Sequence, residues 1–226
     1  MAFDAIVVGS GPAGTFAAYA LRGRNVLVLD VGYRAPGAPD LAGNLYALRE
    51  RKQDLFAPLI GEQFEGLRNI YQRPISLKLK APYTSYIVRD GEKLAPIVSR
   101  NFETSLSFAQ GGLANAWGAG VFRFNARDLA GFPVTKQELA PYYDELTAHI
   151  GVSGTNDDLS EYFGADAALL PPLRLSAMAT GILARYKGGR ARLRERGITM
   201  GLSRLAVLSE PHAGRAAYRY ENQEFF

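Results

Sequence analysis

Residues 4–30 hold an arrangement that few folds accommodate. A short apolar run, Asp4-Ala5-Ile6-Val7-Val8, leads straight into Gly9-Ser10-Gly11-Pro12-Ala13-Gly14. The run has the length and content of a strand buried on both faces of a parallel sheet. In the Gly-x-Gly-x-x-Gly turn that follows, Gly9 permits the tight exit from the strand, Gly11 leaves an open backbone, and Gly14 allows a close helix–sheet approach. Pro12 suits the first turn of a helix, where its missing N–H is no loss. That helix is predicted to run to about Arg22, with Gly23 as its stop. A second apolar strand, Asn25–Leu29, ends in Asp30, which lies 19 positions after Gly11. A strand–turn–helix–strand of this spacing with a terminal acid is a dinucleotide-binding βαβ unit. The helix N-terminus, with Ser10, Pro12 and Ala13 in the turn, faces the diphosphate. The Asp30 carboxylate would accept from the ribose hydroxyls and repel a 2′-phosphate, which disfavours NADP, although Arg34 stands nearby.

This motif leaves FAD and NAD both open. A second segment bears on the choice. Ser105–Gly120 is small, glycine-rich and nearly uncharged, with bare positions at Gly111, Gly112, Gly118 and Gly120. Such a stretch suits backbone pressed close to a flat ligand. The alternative is a surface loop, against which Leu106, Phe108 and Trp117 count.

Together the two segments resemble the glucose–methanol–choline (GMC) oxidoreductases, especially bacterial sugar and polyol dehydrogenase-like members with a Gly-Gly-x-x-x-x-Trp-Gly arrangement. The stretches Arg127–Pro133, Glu138–Asp144 and Gly151–Gly154 are similar too. The resemblance covers residues 3–34 and 100–165. It implies a Rossmann-type FAD-binding core with long excursions, incomplete relative to a full-length GMC fold. It also implies FAD as cofactor and oxidation of a small-molecule alcohol, such as a sugar or polyol, by hydride transfer to the flavin. By resemblance the cofactor-binding residues are Gly9, Ser10, Gly11, Pro12, Ala13, Gly14 and Asp30, with Gly111, Gly112, Asn115, Ala116, Trp117 and Gly118 near the flavin. Some relatives carry a flavin-bonded histidine just before the tryptophan. Ala116 stands there in this chain, so FAD is expected to be non-covalent.

Relatives are much longer, and their catalytic histidine lies near the C-terminus. The resemblance therefore implies that residues 1–130 are the FAD-binding domain, with an irregular excursion over 36–100. Residues 131–226 are then a helical and mixed segment that begins a substrate domain. No catalytic residue is assigned. A partner chain carrying the C-terminal half is one expectation, and an inactive cofactor-binding fragment is another. An NAD-linked dehydrogenase is a third reading, in which 111–120 has no role.

The rest of the chain constrains function mainly by exclusion. There is no cysteine, which removes disulfides, cysteine-ligated metals and a thiol nucleophile. His149 and His212 fit no metal-ligand spacing and are placed at surface or helix-end positions. A net charge of +4 does not argue for nucleic acid. The run Arg185, Lys187, Arg190, Arg192, Arg194 and Arg196 alternates, so it reads as solvated rather than as one basic helical face. No stretch approaches the length of a membrane span, and Phe3–Val8 is needed as a strand, so a cytoplasmic location is the default. Sequence patterns further predict helices over 41–55 and 175–196, the latter ending near Gly197. They predict strands over 83–88, 93–98 and 198–208. A capping box at Thr135–Glu138 opens a helix that Pro141 is expected to interrupt.

Overall fold

The computed structural model describes residues 2–36, 50–51, 56–68, 79, 82–102 and 104–218. The chain divides into two compact units, one holding residues up to Trp117 and one holding Gly118–Arg219. The division falls ahead of the expected boundary at 130, because backbone at Ala119 and Val121 hydrogen-bonds to Ala206 and Arg204 within the second unit.

In the first unit, β1 (Ala5–Val8) and β2 (Val26–Leu29) pair in parallel, in register from Ala5↔Val26 to Val8↔Leu29. Helix α1 (Pro12–Ala20) connects them. A parallel pair needs a crossover of this kind, and the Gly-Pro entry starts the helix directly off β1. The result is a mixed α/β arrangement around a small parallel sheet.

Burial differs from the sequence expectation. Val7 is 9% exposed, but Ile6 is 59% and Val8 81% exposed. Side chains alternate across a strand. Val7 lies on the face that α1 covers, with its Cγ1 3.4 Å from where a Gly14 Cβ would stand. Ile6, Val8 and Leu29, the register partner of Val8, stay open to solvent. An apolar run predicts capacity for two-sided burial, not the layer that supplies it.

Two predicted strands of this unit are replaced by helical turns. Ser85–Ile87 forms a 3-10 turn, and α3 (Gly91–Leu94) follows α2 (Phe56–Ile60) in chain order. The buried Ile87 fixes the first of these locally, and the left-handed Asp90 at φ 55° turns the chain into α3. Both runs are too short for apolar content alone to separate strand from helix. The helix predicted over 41–55 lies almost wholly outside the described residues.

The second unit contains α4 (Lys136–Ile150), α5 (Ser160–Phe163), α6 (Ala177–Gly188) and α7 (Arg190–Glu195). Helix α4 opens on the expected capping box, with Thr135 Oγ1 accepting from Glu138 N at 3.2 Å and Thr135 N donating to Glu138 Oε2 at 2.8 Å. It is one continuous helix despite Pro141. The proline removes only the bond to the carbonyl of Gln137, an exposed residue in the first turn of the helix where water can serve instead. We expect Thr135→Ala to destabilise the second unit by about 1 kcal/mol, read as a lower urea midpoint at constant slope.

The helix predicted over 175–196 is two helices, broken at Gly188–Gly189, where glycine weakens helix continuation. Its predicted end at Gly197 holds, with φ 75°. The strand predicted over 198–208 reduces to isolated pairings. Leu205 bridges both Gly120 and Ser153, and Ser153 also bridges Leu170.

Beside these pairings sits a core built from charge. Asp166 accepts from Arg204 Nη1 at 3.0 Å, from Arg123 Nε at 3.1 Å and from Thr147 Oγ1 at 3.2 Å. Arg204 Nη2 also donates to the carbonyl of Gly164. The Asp166 and Arg204 side chains are 4% and 5% exposed.

Candidate functional site

The turn between β1 and α1 folds around Ser10, which contacts three other parts of the first unit. Its N–H donates to Asp30 Oδ2 at 2.5 Å, and its carbonyl accepts from Thr15 Oγ1 at 3.0 Å. Its hydroxyl accepts from Gly111 N at 2.9 Å. Gly9 N donates to the Leu29 carbonyl at 2.7 Å, which joins the turn to the end of β2. Parallel pairing in register makes this possible, since Val8 and Leu29 finish the two strands side by side.

Asp30 also accepts from Gly32 N at 2.6 Å. The Ser10 side chain, then the Ser10 N–H, hold its carboxyl below the ordinary value, with Gly32 N–H adding and slight burial opposing. The acid is thus ionised, exposed and set against the glycine turn.

Gly14 fits only as glycine. A Cβ there would overlap the Gly9 carbonyl oxygen, so α1 lies directly on the turn. Gly11 has open space, with nothing nearer to a Cβ than the Gly111 carbonyl oxygen at 3.9 Å. The second glycine segment closes on it from the other side: a Cβ on Gly112 would stand 3.5 Å from Gly11 Cα.

The chain reaches that position through Tyr33. Its N–H donates to the Phe108 carbonyl, and its carbonyl accepts from Gln110 N, both at 2.9 Å. This parallel bridge to Ala109 lies just past Asp30 and delivers Gly111 to Ser10. The Tyr33 hydroxyl donates to Asp90 at 3.1 Å, and the Arg89 guanidinium lies over its ring at 4.1 Å. Gly111 and Gly112 then take φ 87° and φ 62°, a pair of left-handed residues that side chains disfavour. Asn115 locks this turn, its Nδ2 donating to the carbonyls of Gln110 and Gly112 at 2.9 and 2.8 Å.

The structure therefore brings together Gly9, Ser10, Gly11, Asp30, Gly111, Gly112 and Asn115, while Pro12 and Ala13 open α1. The Asn115 amide is directed at its own turn rather than outward. Ala116 follows that turn, and Trp117 is 38% exposed at the end of the first unit. Gly118 belongs to the second unit. Tyr33 and Thr15 have supporting roles that sequence reasoning missed. Thr15, in the first turn of α1, was open to detection by its position. The partners of Tyr33 lie far along the chain and leave no local signal.

A dinucleotide fits this donor set. Gly11, with open space beside it, lies at the start of a nine-residue helix, and a carboxylate stands at the strand end, where it could meet sugar hydroxyls. Among the described residues there is no group of His, Cys, Asp or Glu able to hold a metal, and no helix long and apolar enough to cross a membrane.

The histidines serve the end of α4. His212 Nε2 lies 2.6 Å from the Ala148 carbonyl, and Arg215 donates to the carbonyl of His149. In the basic run, Arg190 forms a two-point pair with Asp158, and Arg194 pairs with Glu161 and Asp158. These two cations, one helical turn apart, do share a face, which the alternating pattern had concealed. No protein-family model matches the chain, and no curated protein sequence does.

Proposed function

We propose that this chain is the FAD-binding portion of a flavin-dependent oxidoreductase that oxidises an alcohol group, such as that of a sugar or polyol. One observation carries the reading: the Asp30 carboxylate and the Gly111–Gly112 segment both meet the glycine turn at Ser10. The first contact suits an ADP moiety. The second gives the Gly111–Gly112 segment a role beside the same ligand, which an NAD reading does not provide.

Gly9, Gly11 and Gly14 would receive the diphosphate at the α1 N-terminus, and Asp30 would hold the adenosine ribose. Gly111 and Gly112 would present bare backbone beyond the diphosphate. Bound flavin supplies the hydride acceptor. This chain's residues bind and orient it, and no proton acceptor for the alcohol is assigned among them. With Ala116 before Trp117, attachment is non-covalent, so acid precipitation should release the flavin.

Purified protein should show absorption near ~450 nm and release FAD on heating. A colourless protein stabilised only by NAD would overturn the reading. Asp30→Asn should weaken FAD binding about tenfold, the lower end for a hydrogen bond to a charged group because the carboxylate is exposed. The folded acid titrates below its ordinary value of 3.8. Its contribution is therefore complete above 3.8 and is lost only as pH falls through the lower folded value. The mutant-to-wild-type ratio of FAD affinity should stay constant through the neutral and mildly acidic range and converge only in more acidic solution.

A second reading is a cofactor-binding subunit completed by a partner chain. The open apolar surface of Ile6, Val8 and Leu29 favours it. FAD retained only on co-expression with such a partner would separate it from the first.

A further inference from the structure

Two cofactor-facing segments that are distant in sequence must be held at a fixed spacing if one ligand is to touch both. Backbone pairing through Tyr33 brings the second segment close, but it ends at Gln110. Beyond it, Gly111 and Gly112 are both left-handed and have no side chains to anchor them. The Gly112 N–H is used within its own turn, on the Ala109 carbonyl at 2.8 Å. The Gly111 N–H instead reaches across to the Ser10 hydroxyl at 2.9 Å.

We propose that Ser10 is a positioning residue of the dinucleotide site, whose hydroxyl sets the Gly111–Gly112 backbone against the diphosphate turn and so determines affinity for the whole dinucleotide over its ADP half. This rests on the FAD reading given above. A hydroxyl has one proton to give and two lone pairs to accept with. Accepting from Gly111 leaves the Ser10 proton to be given to the Asp30 carboxylate. The Ser10 side chain is also the first among the influences that keep Asp30 ionised. One small residue thereby couples the segment at 111–112 to the ribose-binding acid. The groups an ADP molecule needs, Gly9–Gly14 and Asp30, are all local. The part of the ligand beyond them depends on where Gly111 stands.

The test is titration of the full chain with FAD and, separately, with ADP. Ser10→Ala should raise the Kd for FAD about three- to tenfold, the range for one neutral hydrogen bond, while ADP changes less than about twofold. Amide exchange of the peptide spanning 109–115 should speed up in the variant. Ser10→Thr, which keeps a hydroxyl, should restore FAD affinity to within about twofold of wild type by the same reckoning. Equal losses for FAD and ADP would mean that the hydroxyl acts on the ADP half, through phosphate or through Asp30, and would overturn the proposal. So would unchanged FAD affinity, or a threonine variant as weak as the alanine one. Wild-type protein that binds no FAD would overturn this proposal and the FAD reading together. The other outcomes overturn only the proposal. If Ser10→Ala does not fold, Ser10→Gly removes the same hydroxyl from a turn already rich in glycine. Wild-type exchange at 109–115 that does not slow on FAD addition would also overturn the proposal.

Discussion

Asp166→Ala should unfold the second unit at temperatures where the wild type is fully native. The carboxylate is the common acceptor for Arg204, Arg123 and Thr147. Removing it leaves Arg204 as a cation 5% exposed, whose charged form burial already disfavours, with Arg123 nearby adding repulsion. Breaking a buried pair from one side costs about 3–5 kcal/mol, a large share of the roughly 5–15 kcal/mol that holds a domain together. Asp144→Ala is the control. Asp144 also meets Arg123, at 2.6 Å, but is 61% exposed, so its loss should cost under about 1 kcal/mol. Thermal unfolding followed by circular dichroism separates the two. Equal and small effects would show that the charged core contributes nothing to folding. The double variant Asp166→Leu with Arg204→Met should recover part of the loss, because an apolar pair of similar volume removes the stranded charge.

The other large effect is expected at Gly14. Gly14→Ala should abolish FAD retention, whereas Gly11→Ala should only weaken it. The added methyl of Gly14→Ala overlaps a backbone oxygen of Gly9, and backbone cannot swing aside as a flexible side chain can. Helix α1 must then move off the turn, taking its N-terminal N–H groups with it. Overpacking of this kind costs about 1–3 kcal/mol before any ligand is considered. At Gly11 the corresponding methyl meets nothing closer than 3.9 Å in the protein, so its effect is confined to crowding the ligand. Comparing melting temperatures without ligand distinguishes them: Gly14→Ala lowers the melting point and Gly11→Ala leaves it unchanged. Identical behaviour of the two variants would remove the steric account of the turn.

The sequence carried the first 30 residues well because their determinants are local. Strand length, the Gly-Pro entry and the acid at the end of β2 each act within a few residues, and the strands form at Ala5–Val8 and Val26–Leu29 as the pattern implies. The same pattern overestimated burial at Ile6 and Val8, because what covers a strand is set by other parts of the chain. Residues 198–208 have strand-like content but form only isolated bridges, centred on Leu205, so no ladder propagates. The helix predicted over 175–196 is interrupted at Gly189, while the break expected at Pro141 does not occur. A capped start and an exposed carbonyl at Gln137 make the proline tolerable. The Arg204–Asp166 pair left no trace in the sequence, since two charges so far apart read as two surface residues. In the candidate site, the glycine and acid positions were legible. The contacts that join them, through Ser10 and Tyr33, follow only from the fold.

Arg204 and Leu205 are adjacent, and each serves a different kind of bond. The guanidinium anchors the charged core, while the backbone from Arg204 to Ala206 pairs with Ala119, Val121 and Ser153. Side-chain and main-chain cohesion in the second unit therefore converge on one short stretch. Loss of either set should weaken the other, so amide exchange across this region is expected to report one cooperative opening rather than fraying segment by segment.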